Sequence, residues 1–83
     1  MAGARFDRTM VEQTIKYFSD PSIDEGDPNK MRELVGDFVK FERVVAADQL
    51  TADARQLAHD FVSFGREWIK QHALESVYLE LRT

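Results

Sequence analysis

The side chains best suited to chemistry are the carboxylates of SDPSIDEGDPN, residues 19–29, which hold four acids, both prolines and no base. Oxygen donors at this density raise the question of a cation loop. A helix–loop–helix calcium site needs oxygens at positions 1, 3 and 5, glycine at 6 and a bidentate glutamate at 12. Counting from Asp20 supplies Asp20, Ser22 and Asp24, but puts Glu25 where glycine belongs and Met31 at the twelfth position. Counting from Ser22 brings Glu33 to the twelfth position, with a serine first and Pro28 interrupting the loop. Neither register provides the ligand set. The stretch therefore reads as a helix-breaking connection carrying a solvated charge run.

The remaining reactive groups are sparse. His59 and His72 are too few for a histidine metal site, and only His72 has a helical carboxylate neighbour, Glu75. A di-metal bundle site wants two Glu-x-x-His repeats and two further carboxylates, and neither repeat occurs. The chain has no cysteine. Disulfides, thiolate nucleophiles and thiolate metal ligands are thereby excluded. Ser63 lacks the upstream glycine of a nucleophile elbow. The glycines at 3, 26, 36 and 65 are too scattered for a phosphate-cradling loop. No catalytic residue, cofactor site or metal site is expected, no small-molecule substrate is implied, and we do not read the chain as an enzyme.

Net charge is −4, and no segment concentrates positive charge as a phosphate-reading surface would. Residues 30–47 come closest, with four bases against three acids. A helix-turn-helix would take LTADARQLAHDF as its reader, with Arg55 and Gln56 facing base edges beside Asp53. The longest uninterrupted apolar run, Val44 to Ala47, is four residues, far short of a membrane span. The N-terminus MAGARFDR lacks a signal-peptide core, and glycine at position 3 does not fit myristoylation. A cytoplasmic protein is the expectation.

Apolar spacing near 100° per residue predicts helices almost everywhere outside the acidic stretch. The first begins at Thr9, where TMVE forms a capping box with Glu12, and Met10, Val11, Ile15, Tyr17 and Phe18 form one broad apolar face along it. Asp20-Pro21 ends it. The second begins at Asp27, with Pro28 at its first position, and carries the stripe Met31, Leu34, Phe38, Phe41, Val45, widened by Val35. Glu42 falls inside that arc. If buried, it needs a partner, for which an arginine or His72 would serve. Thr51 caps the third helix, whose stripe is Ala54, Leu57, Phe61, Phe64 and Trp68 beside a lane of Ala58, Val62, Gly65 and Ile69. Glycine inside a helix costs about 1 kcal/mol relative to alanine, so Gly65 points to close approach of a neighbouring helix. His72, near the centre of this arc, reads as a hydrogen-bonded boundary histidine.

Beyond His72 the phase breaks. On one straight helix Leu74, Val77, Tyr78 and Leu81 would lie opposite Phe61 and Trp68, and no glycine or proline follows residue 65 to turn the chain. Either the helix bends near Ala73 or it exposes a second apolar face; we favour helix over strand for this tail.

The 83 residues are too few for a large core. We therefore expect one domain, 1–83, folded as an all-α antiparallel bundle of three helices, with the tail as a fourth or as an extension. By elimination, and from the out-of-phase tail, the expected function is protein–protein interaction: a regulatory, inhibitory (antitoxin-like) or accessory protein. Its partner is another protein or a second copy. Leu74, Val77, Tyr78 and Leu81 are the expected partner-binding residues. An acidic nucleic-acid-associated regulator is the alternative.

Overall fold

Two aspartates open the first two helices. Asp7 accepts from the Met10 amide at 2.9 Å and caps α1, Arg8–Phe18. Asp27 accepts from the amides of Asn29 and Lys30 and caps α2, Pro28–Ala46, with Pro28 in the first turn where its missing N–H leaves nothing unpaired. A 3₁₀ turn, Ala52–Ala54, leads into α3, Arg55–Gln71, followed by α4, Glu75–Arg82. The computed structural model describes residues 5–83, so the reading of Gly3 lies outside the described residues. What they form is a small all-α bundle of four helices.

The capping box at Thr9 is corrected. Aspartate is at least as good a cap as threonine, and starting at Asp7 leaves Phe6 extended. Phe6 donates its amide to the Gln49 carbonyl at 2.9 Å and accepts from the Thr51 amide at 2.9 Å, a parallel bridge to Leu50. Glu12 faces Arg8 at 3.4 Å instead of reaching back to the cap. Thr51 does precede the 3₁₀ turn, but its hydroxyl donates to Asp53 at 2.6 Å and caps no amide.

Both long helices end in the same way, and neither ends on glycine. At the end of α2 the Asp48 amide donates to the Val45 carbonyl and the Gln49 amide to Val44, at 3.1 Å each. At the end of α3 the Ala73 amide donates to Lys70 at 3.1 Å and the Leu74 amide to Ile69 at 2.9 Å. These paired bonds are Schellman motifs, which put the residue after the cap in the left-handed region. Asp48 has φ 53° and Ala73 φ 55°. Aspartate tolerates that region well; alanine does so at a cost.

The core is built on Val35, Phe38 and Phe41 of α2, Ala58, Phe61, Val62 and Ile69 of α3, and Val11, Leu50 and Ala54, all buried. Met31 and Leu34 are buried as well, so the expected α2 stripe holds, with Val45 half-buried. On α3 the face is rotated from the expected stripe. The lane of Ala58, Val62, Gly65 and Ile69 is buried throughout, whereas Leu57 and Trp68 are half-buried and Phe64 is exposed. The helix stays unbroken at Gly65, and the Phe38 ring packs on that glycine.

Because the chain turns at Ala73, α4 folds back across α2 and α3. Phe38 and Tyr78 meet with ring centroids 6.1 Å apart. Arg32 of α2 grips Glu80 of α4 with two hydrogen bonds, 2.9 and 3.2 Å. Glu42, its side chain only 13% exposed, accepts from the Tyr78 hydroxyl at 2.6 Å and from Arg66 at 2.9 Å, joining α2, α3 and α4. Its expected arginine partner is therefore Arg66, while His72 is engaged elsewhere.

Candidate protein-docking face

Helical geometry explains the exposure of Phe64. At 100° per residue the buried positions 54, 58, 61, 62, 65 and 69 centre on one direction, and position 64 lies roughly 110° from it. The side chain is 63% exposed, although its apolar character and 3–4 spacing match core positions. Trp68, one turn on, is half-buried and stacks on His72, centroids 4.2 Å apart with 26° between the planes.

Beside these rings lies a cleft of about 280 Å³. Its apolar walls are Phe18 of α1, Ile23 and Pro21 of the acidic connection, Leu34 of α2, and Phe61, Phe64 and Trp68 of α3. Its charged lining is Asp20 and Glu25, with no base. A larger cleft of about 440 Å³ runs between α1 and α2, where Met10 and Tyr17 are exposed. That one is lined by both Asp37 and Lys40, and the Tyr17 hydroxyl donates to Asp37 at 3.3 Å.

The acidic connection is ordered by its own carboxylates. Asp20 accepts from the Ser22 amide and Asp24 from the Gly26 amide, both at 2.9 Å, while Asp27 caps α2. The backbone bond from Ser22 is the main cause holding the Asp20 carboxyl below its usual pKa. Glu25 reaches across to His72 Nε2 at 3.2 Å, and His72 Nδ1 lies 2.9 Å from the Trp68 carbonyl oxygen. The connection thus forms one wall of the cleft and is fastened to the end of α3. Among the described residues no group of three or more His, Cys, Asp or Glu is placed to hold a metal ion.

Leu74, Val77, Tyr78 and Leu81 are half-buried and packed on the chain's own core. The phase reversal that made them partner-binding candidates vanishes once the chain turns at Ala73. Leu79, which points away from them, is 59% exposed. The two residues offered as base readers are engaged within the chain: Arg55 donates two bonds of 3.1 Å to Asp48, and Gln56 donates to Asp60 at 2.9 Å. Phe64 was present in the sequence reading only as a core residue. Its place at the edge of a broad apolar arc, between the charged Asp60 and Glu67, is the signal that could have singled it out.

No family model, curated protein or solved structure matches the chain. No helix among the described residues is long and apolar enough to cross a membrane.

Proposed function

We propose that this chain is a small protein–protein interaction module, regulatory or accessory in role, that docks a partner on the face formed by Phe64, Trp68 and the adjoining cleft. The exposure of Phe64 carries this reading. A phenylalanine in the middle of a well-packed helix, 63% exposed beside a hollow lined with further rings, forgoes burial that would contribute about 1.5–3 kcal/mol. An exposed aromatic beside a hollow lined by other rings is the kind of side chain that anchors protein interfaces, where aromatic residues are enriched. The tail residues act indirectly, by closing the core beneath α3.

Capture of native partners on the immobilised protein tests this, with wild type, Phe64→Ser and Leu79→Ser compared. A partner retained by wild type and Leu79→Ser and lost by Phe64→Ser is the expected result. Retention indifferent to Phe64 removes the docking face.

A further inference from the structure

Resting on the interaction-module reading above, we infer that the Phe64 cleft takes a basic amphipathic segment of another protein, an apolar side chain entering between Phe64 and Trp68 and lysines or arginines lying on the rim. The charged side chains that line the hollow are of one sign. Asp20 and Glu25 line it, and Asp60 and Glu67 flank Phe64 one turn before and after on the exposed side of α3. Two lysines stand behind this wall: Lys30, whose charge reaches Asp20, is held by Glu33 and the Tyr17 hydroxyl at 3.5 Å each, and Lys16 lines the neighbouring cleft on the other side of Asp20 and Pro21, outside the hollow. An acid-only rim around an apolar hollow repels acidic segments and attracts basic ones, and it speeds encounter at low ionic strength.

The same charge argues against a second copy as the occupant. A two-fold interface sets the same patch against itself, so the acids of one rim would face the acids of the other as water is excluded. A cationic partner meets no such opposition. The mixed-charge cleft between α1 and α2 carries no comparable preference.

Trp68 is the chain's one tryptophan and lines the cleft, so its fluorescence reports occupancy. Three synthetic helical peptides serve as probes: one with a leucine face and a lysine face, one with leucine and glutamate, and one with serine in place of leucine but the same lysines. The leucine–lysine peptide is expected to shift Trp68 emission and to bind more weakly as salt is raised. Phe64→Ser should cost it roughly tenfold or more in affinity. Asp60→Asn with Glu67→Gln, which keeps the apolar hollow, should weaken it and leave the leucine–glutamate peptide no worse.

Phe64-dependent binding of both leucine peptides with equal affinity overturns the basic partner while leaving the docking face standing. Equal binding by the serine–lysine peptide reduces the effect to surface charge and overturns the inference. Failure of all three peptides to move Trp68 also overturns it. Sedimentation showing a dimer that Phe64→Ser dissolves would make a second copy the occupant instead.

Discussion

The ring of Phe38 fills the space into which a β-carbon on Gly65 would project: such a carbon would meet Cε1 and lie 2.7 Å from Cζ and 2.9 Å from Cδ1. The ring has nowhere to go. It packs edge-on against Phe18 and Phe61, with centroids 6.5 and 6.0 Å away, and against Tyr78 at 6.1 Å. Gly65→Leu therefore destabilises the fold despite leucine's better helix propensity, since overpacking of about 1–3 kcal/mol exceeds a propensity gain of about 1 kcal/mol. Gly65→Ala moves the same way by less. Thermal melts check both, and a higher midpoint for either variant would mean that α2 and α3 do not meet at this glycine.

At Ala73 glycine is the better residue. A left-handed backbone at a β-carbon costs about 1–2 kcal/mol, and the extra chain freedom of glycine in the unfolded state returns about 0.4–1 kcal/mol of that. Ala73→Gly is expected to stabilise the protein by roughly 0.5–1 kcal/mol, a rise of several degrees in Tm for a domain of this size. A lower Tm would place the turn between α3 and α4 elsewhere.

Val77→Ser with Leu81→Ser tests whether the tail is core. Both side chains pack half-buried on the bundle, so the pair should cost about 2–4 kcal/mol in denaturant melts of the protein alone. Unchanged stability joined to loss of a partner would return these residues to an interface.

The α2–α4 clasp makes the fold sensitive to acid. The hydrogen bonds from Arg32, and then its charge, hold the Glu80 carboxyl below its usual pKa. A depressed folded value gives stability that is present above the unfolded glutamate pKa of about 4.3. That stability is lost as pH falls through the lower folded value. Both groups are exposed, so the effect is small and screened by salt. Stability measured from pH 6 to pH 3 should fall more steeply for wild type than for Glu80→Gln; parallel profiles would show that the clasp is not populated.

Tyr78 sets the alkaline side. Burial, followed by the hydrogen bond to Glu42, holds its phenol above the ordinary value. Its contribution is complete below the unfolded pKa of about 10 and is lost as pH rises through the folded one. Tyr78→Phe should cost about 1 kcal/mol near neutrality and flatten the alkaline fall. Tyrosinate absorbance adds a second check, because of the two tyrosines Tyr78 should ionise late in the folded protein and at its ordinary pKa once unfolded.

Local chemistry made the helices legible and left the turns obscure. Asp27-Pro28 and the 3–4 stripe from Met31 to Phe41 act within one or two turns of backbone, so the sequence displays α2 directly. The bend near Ala73 stands in the sequence only as one of two alternatives, because its left-handed residue lacks the glycine that usually marks it; the geometry is held by carbonyls of Ile69 and Lys70, which every residue has. Phe64 was read as core because a broad apolar arc does not reveal its own centre. That centre is chosen by Phe38 settling on Gly65, a contact between residues 27 positions apart. Glu42 needed a partner by its place in the arc, but only the folded-back tail supplies Tyr78.

The placement of α4 also bears on the order in which the molecule assembles and comes apart. The helix spans eight residues and buries none completely, and isolated helices so short are marginal in water. Its defining bonds, Tyr78 to Glu42 and Arg32 to Glu80, reach across 36 and 48 positions of sequence. Most of the chain must therefore be in place before α4 has anything to dock on, and α4 can leave without dismantling the cluster around Val35 and Phe61. Hydrogen exchange would register this as a separate opening: amides of residues 75–82 exchange through a partial unfolding of lower free energy, while those of Val35, Phe38 and Val62 wait for the global event.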